Sequence, residues 1–129
     1  MRTVKIDQSQ EVPEIEVLIT GPRSQQRVNL IFDTGAACTQ IDTGLIEDIG
    51  YSISDASEMM RVLGATGGAQ DGYIIAINSI SFLGKKVENV RVGVYDFENF
   101  PGVDGLLGWD VIRQLHIEMN GPESLLKIF

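Results

Sequence analysis

The amino-acid sequence predicts an all-β protein, a closed barrel of short strands with one or two short helices. Three observations predict it. Apolar residues recur at every second position, as in Ile15, Val17 and Ile19 and again in Val90, Val92 and Val94, which is the period of strands with one face in a core. These stretches are short and are parted by polar or glycine-bearing turns such as Gly21-Pro22-Arg23-Ser24 and Gly84-Lys85-Lys86. Helical spacing occurs only over residues 45–49 and 109–115.

In chain order, a strand over 3–6 precedes a longer one over 12–19, where Glu14, Glu16 and Leu18 face away from Ile15, Val17 and Ile19. The polar turn 21–26 folds this strand back on another, 28–32, as a hairpin. A short strand is expected over 39–41. Asp42 or Thr43 then caps a helix whose Leu45, Ile46 and Ile49 share a face, with Glu47 and Asp48 in its early turns and Gly50 at its end. Residues 51–58 read as loop. Apolar segments 59–63 and 73–77 flank Gly64-Ala65-Thr66-Gly67-Gly68-Ala69 and are expected to pair as a hairpin with a bendable tip, because glycine accepts positive φ. Strands over 80–82 and 87–95 turn around Gly84-Lys85-Lys86. An irregular loop, 97–103, leads to 105–108, which returns to the core. Residues 109–115 read as helix, with Trp109 packed inside or, as the alternative, lining a pocket. Strands over 116–119 and 125–129, joined by Asn120-Gly121-Pro122-Glu123, close the chain. The last is rich in Leu, Ile and Phe and is an exposed edge unless another strand pairs with it.

At 129 residues the chain is expected to form one domain over 1–129. A net charge of −8 argues against nucleic acid or an anionic membrane as partner, since both demand basic patches. No apolar run approaches the ~20 residues that span a bilayer, and Met1-Arg2-Thr3-Val4-Lys5-Ile6-Asp7 lacks the apolar core of a signal peptide, so a cytoplasmic protein is expected. One cysteine, Cys38, excludes an internal disulfide and suits a reducing compartment. With a single Cys and a single His, His116, neither a metal site nor a Cys–His nucleophile is expected. The glycine-rich tip lacks both Gly-Lys-Ser/Thr and GxGxxG, which leaves phosphate binding without support.

The chemistry is carried by Leu30-Ile31-Phe32-Asp33-Thr34-Gly35-Ala36-Ala37, where a buried strand delivers one carboxylate into a cluster of small residues. An ionised acid is costly to desolvate without partners, so its place at the end of an apolar run marks a chemical site. Thr34 offers a hydroxyl, Gly35 permits close approach of a backbone or ligand, and Ala36 and Ala37 leave room beside the acid. The same tripeptide recurs at Asp42-Thr43-Gly44, where helix capping accounts for it. Asp104 and Asp110 flank the segment 105–108 and read as a turn residue and a helix-end cap.

Phe32-Asp33-Thr34-Gly35-Ala36 resembles the active-site loop of the retropepsin-like aspartic proteases, in which Ala follows the Gly. Gly105-Leu106-Leu107-Gly108-Trp109-Asp110-Val111-Ile112 resembles that family's apolar-apolar-Gly segment, which leads into a short helix beneath the catalytic loop. The likeness covers the chain from about residue 12 to 129. Two-lobed pepsin-like enzymes supply two such acids, whereas this chain offers one strand-borne Asp-Thr-Gly. Retroviral members carry Asp after the Ala and Arg after the second motif's Gly. Here Ala37 and Trp109 stand at those places, as if an apolar contact replaces an ion pair, and the chain looks more like cellular or bacterial members.

The resemblance implies a homodimeric aspartic endopeptidase acting on peptide or protein substrates, with no cofactor. Asp33 is its catalytic acid, pairing with Asp33 of a second subunit so that the two share one proton. Thr34 hydrogen-bonds across the dimer axis, Gly35 exposes its backbone to substrate, and Ala36 completes the loop. Gly64, Ala65, Thr66, Gly67 and Gly68 form the substrate-binding flap. In the retroviral enzymes the chain ends interleave between subunits, and this ending looks similar. The rival expectations are a non-catalytic dimerisation or peptide-binding module of the same fold, or a monomeric barrel that binds a small molecule.

Overall fold

A computed structural model describes residues 1–63, 69–97 and 102–129. Its strands are β1 (Arg2–Lys5), β2 (Glu14–Thr20), β3 (Gln25–Phe32), β4 (Gln40–Asp42), β5 (Glu58–Leu63), β6 (Ala69–Phe82), β7 (Lys85–Tyr95), β8 (Gly105–Leu107), β9 (Ile117–Asn120) and β10 (Leu125–Ile128). Two short helices, α1 (Thr43–Asp48) and α2 (Trp109–Ile112), and one 3-10 turn, Ile53–Asp55, complete the described elements.

Six strands close into a ring in the order β2-β3-β8-β4-β7-β6, and antiparallel pairing of Leu18 with Ser81 and Thr20 with Ser79 joins β6 back to β2. Closure removes the unpaired edges that an open sheet of this size would expose. The predicted alternation holds. Ile15, Val17 and Ile19 on β2 and Val90, Val92 and Val94 on β7 are buried, and they meet Leu30, Ile41, Ile75, Ile77 and Leu107 in one core. Burying each of these side chains is worth roughly 1.5–3 kcal/mol.

The capped helix forms as expected. Asp42 accepts a hydrogen bond from the Gly44 amide at 3.1 Å, Ile46 is buried, and the chain leaves α1 through Gly50 at φ 111°. A side chain at Gly50 would be strained by that φ and would also crowd Arg23.

Four sequence expectations are corrected. Segments 73–77 and 80–82 belong to one strand, β6, which runs through the polar residues between them; the Asn78 amide donates to the Tyr51 hydroxyl at 3.0 Å, and that hydroxyl donates to the Asn78 side-chain oxygen at 3.1 Å. The β6–β7 turn lies one residue early, at Leu83 and Gly84, both with positive φ (45° and 83°), the sense that matches the twist of paired strands. Helix α2 stops at Ile112, and its Trp109 is 47% exposed, not packed in the core. Finally, β10 is not an edge. It lies between β1 and β9 of its own chain, and its Leu126 and Ile128 are buried.

The hairpin of β5 and β6 pairs Glu58 with Ile74 through Leu63 with Ala69. Its expected tip, Gly64 to Gly68, lies outside the described residues, as does part of the irregular loop expected over 97–103.

Candidate active site

Asp33 is placed by two neighbouring strands. Leu30 and Phe32 of β3 are buried, and β8 runs parallel beside them, pairing Leu30 with Gly105 and Phe32 with Leu107. The ladder extends one residue further, since the Asp33 amide donates to the Leu107 carbonyl at 3.0 Å. Beyond that bond the chain turns sharply. The Gly35 amide donates to Asp33 Oδ1 at 2.9 Å, and the Ala36 amide to the Asp33 carbonyl at 3.2 Å. The loop thus holds a half-buried carboxylate beside exposed Thr34, Gly35 and Ala37.

The loop is also pinned from beneath. The Trp109 amide donates to the Ala36 carbonyl at 2.7 Å. Thr39 is fully buried; its hydroxyl donates to Asp110 Oδ1 at 2.7 Å and accepts from the Gly108 amide at 3.0 Å. The amides of Thr39 and Val111 donate to the same carboxylate oxygen, each at 3.0 Å. One buried hydroxyl and one carboxylate therefore fasten the end of the Asp33 loop to the start of α2. Asp110 is not the helix-end cap expected for it, because Gly108 stands at the N-cap of α2 and the Asp110 carboxylate reaches across to Thr39. Neither Thr39 nor Asp110 stands out in the sequence as a site residue. The legible signal was only that an acid follows the second motif.

Gly108 lets these pieces approach. A Cβ there would lie 2.8 Å from the Ala36 carbonyl oxygen and 2.9 Å from the Thr39 nitrogen, both backbone atoms of the segment that follows Asp33. Gly108→Ala is expected to cost about 2 kcal/mol of stability by overpacking, read as a lower urea midpoint at unchanged slope.

Other candidates resolve into structural roles. Asp42 Oδ1 accepts from the Phe97 amide at 3.0 Å, so the second Asp-Thr-Gly ties α1 to the end of β7. Asp104 accepts from the Asn29 amide at 2.7 Å and receives the Asp42 amide on its carbonyl at 2.8 Å, pinning β8 between β3 and β4. Cys38 packs its sulfur against the Thr39 and Arg91 carbonyls, whereas His116 stacks on Phe129 and faces Glu118 at 3.6 Å. The two share none of these contacts. Among the described residues, no group of three or more His, Cys, Asp or Glu is placed to hold a metal ion, and no helix is long and apolar enough to cross a membrane.

Burial, and then the Asp110 charge, raise the Cys38 thiol above its usual 9.0. Burial likewise raises Tyr51, Tyr73 and Tyr95 above 10.0. In each case folding disfavours the anion. The resulting stability is complete below the unfolded values and is lost as pH rises through the raised folded ones. Unfolding free energy is therefore expected to hold up to about pH 9 and to fall above it, as measured by denaturant titration at stepped pH.

A family model described as aspartyl protease matches residues 15–111. A search of curated proteins gave no match. The chain is similar in structure to a retropepsin-like aspartic protease from Rickettsia conorii, with a TM-score of 0.71 at 16% identity over 98% of this chain and 88% of that one. It is also similar to the retroviral protease-like domain of Ddi1 from Leishmania major (TM-score 0.61, 17% identity, 91% and 87% covered). A third similar structure is the EIAV protease complexed with the inhibitor HBY-793 (TM-score 0.58, 20% identity, 84% and 91% covered). These likenesses show a shared fold, the closed barrel with its two short helices.

Proposed function

Because this chain belongs to the aspartyl protease family, we propose that it is a homodimeric aspartic endopeptidase in which Asp33 of each copy supplies half of the catalytic pair. The observation that carries the proposal is a single half-buried carboxylate, presented at the end of a buried strand by a loop that Thr39, Asp110 and Leu107 hold in place. Hydrolysis by this route needs one carboxylate as base for the attacking water and one carboxylic acid to protonate the carbonyl oxygen. A two-fold axis beside Asp33 brings the residue to its own copy and provides both.

In this reading residues 1–129 act as one protease domain. Thr34, exposed next to Asp33, meets the corresponding loop across the axis, and Gly35 and Ala36 line the floor under an extended peptide. The β5–β6 hairpin carries Gly64, Ala65, Thr66, Gly67 and Gly68 over the peptide, hydrogen-bonding its backbone. Since β10 is paired on both flanks within the chain and, among the described residues, β1 and β9 each pair with β10 alone, a partner strand in this reading adds beside β1 or β9.

The test is incubation with an unfolded protein from acid to neutral pH, with and without an inhibitor directed at aspartic proteases, alongside measurement of mass in solution. Inhibitor-sensitive cleavage by a dimer supports the proposal. Inhibitor binding without cleavage would falsify catalysis and leave a peptide-binding module, and a monomer at all concentrations leaves Asp33 without its twin.

A further inference from the structure

Trp109 is the chain's single tryptophan, and nearly half of it faces water. Exposure of so much indole forgoes the hydrophobic gain that burial gives. Its amide is bonded to the Ala36 carbonyl, so the residue stands against the loop that carries Asp33. On that loop Thr34, Gly35 and Ala37 are also exposed. Residues 34–41 contain no charged side chain, although the chain as a whole carries −8. The exposed residues of that loop, Thr34, Gly35 and Ala37, are uncharged, so beyond Asp33 itself the loop adds no like charge to oppose the approach of two acidic molecules.

We infer that Trp109 anchors the contact with a second copy of this chain, its indole packing over the small residues of that copy's active-site loop. This deepens the homodimer proposed above and rests on it: copies that bring their Asp33 residues together meet across this loop, with Trp109 beside it. Two-fold symmetry makes the contact reciprocal, so each dimer buries two indoles. Tryptophan is among the residues that dominate interface energetics, and Ala36 and Ala37 leave the space a large ring needs.

One indole per chain makes the test direct. Sedimentation velocity and tryptophan emission are recorded over a concentration series for the wild-type chain, Asp33→Asn, Trp109→Ala, Trp109→Phe and Ala37→Glu. Wild-type and Asp33→Asn emission is expected to move to shorter wavelength in step with the rise in mass. Trp109→Ala should weaken association about thirtyfold, and Trp109→Phe less. Ala37→Glu changes an exposed position, so it keeps the test open if Trp109→Ala fails to fold, and it should weaken association comparably. The inference is overturned by a dimer whose emission stays that of exposed indole, or by Trp109→Ala and Ala37→Glu associating like wild type. It is overturned too by an emission shift that follows added peptide and not mass, which assigns Trp109 to substrate. The two proposals fail separately. Shifted emission in a dimer that cuts nothing removes catalysis and keeps the contact, while a cleaving dimer with an exposed Trp109 does the reverse.

Discussion

Asp33→Asn is expected to lower kcat by at least about 10³-fold while leaving fold and dimer intact. The substitution is nearly isosteric, and the asparagine carbonyl oxygen can still accept the Gly35 amide that now donates to Asp33 Oδ1 at 2.9 Å, so the loop keeps its shape. What is lost, on the proposed mechanism, is the exchangeable proton and the negative charge that would activate water. Mixing variant and wild-type subunits sharpens the measurement. If each active unit needs two copies of Asp33, an equal mixture of freely exchanging subunits retains about one quarter of wild-type activity, not the one half expected of independent monomers. Steady-state cleavage of a peptide across a mixing series distinguishes a quadratic from a linear decline. A linear decline refutes the shared site even if Asp33 is essential.

Thr39→Val is expected to destabilise the protein by about 3 kcal/mol and to lower activity with it. Valine keeps the shape of threonine but removes the hydroxyl between the Gly108 amide and Asp110 Oδ1. One buried amide then loses its acceptor and one carboxylate loses a 2.7 Å donor, although the Thr39 and Val111 amides still hold it. Because this bond fastens the loop that aims Asp33, the remaining folded protein should also show a reduced kcat, since small misplacements at a reacting centre are costly. Thr39→Ser restores the hydroxyl and should recover most of both losses. Denaturant unfolding and kcat measured on the same three proteins decide it; a valine variant as stable as wild type would remove Thr39 from this account.

Much of this was legible in the sequence because period-two alternation depends on burial alone. Ile15, Val17 and Ile19 could be assigned to a core without knowledge of their neighbours, and all are buried. Asp42 was legible as a cap because capping is local, with donor and acceptor two residues apart. What escaped was lateral. The two segments 73–77 and 80–82 are one strand, and between them Asn78 is met by Tyr51, 27 residues away in the chain. Thr39 and Asp110 are 71 residues apart, and neither hints at the other. Trp109 misled for a further reason: its hydrophobicity suggested the core, whereas the fold places it at the protein's surface next to Asp33's loop.

The self-completed terminal sheet has a consequence for how such a molecule matures. With β10 already seated between β1 and β9 of its own chain, the terminal sheet needs no strand from a sibling to be complete. Under the homodimer proposal only the chemistry then waits on an encounter. Dilute protein is held folded and silent, and proteolytic output climbs more steeply than the number of chains as they accumulate.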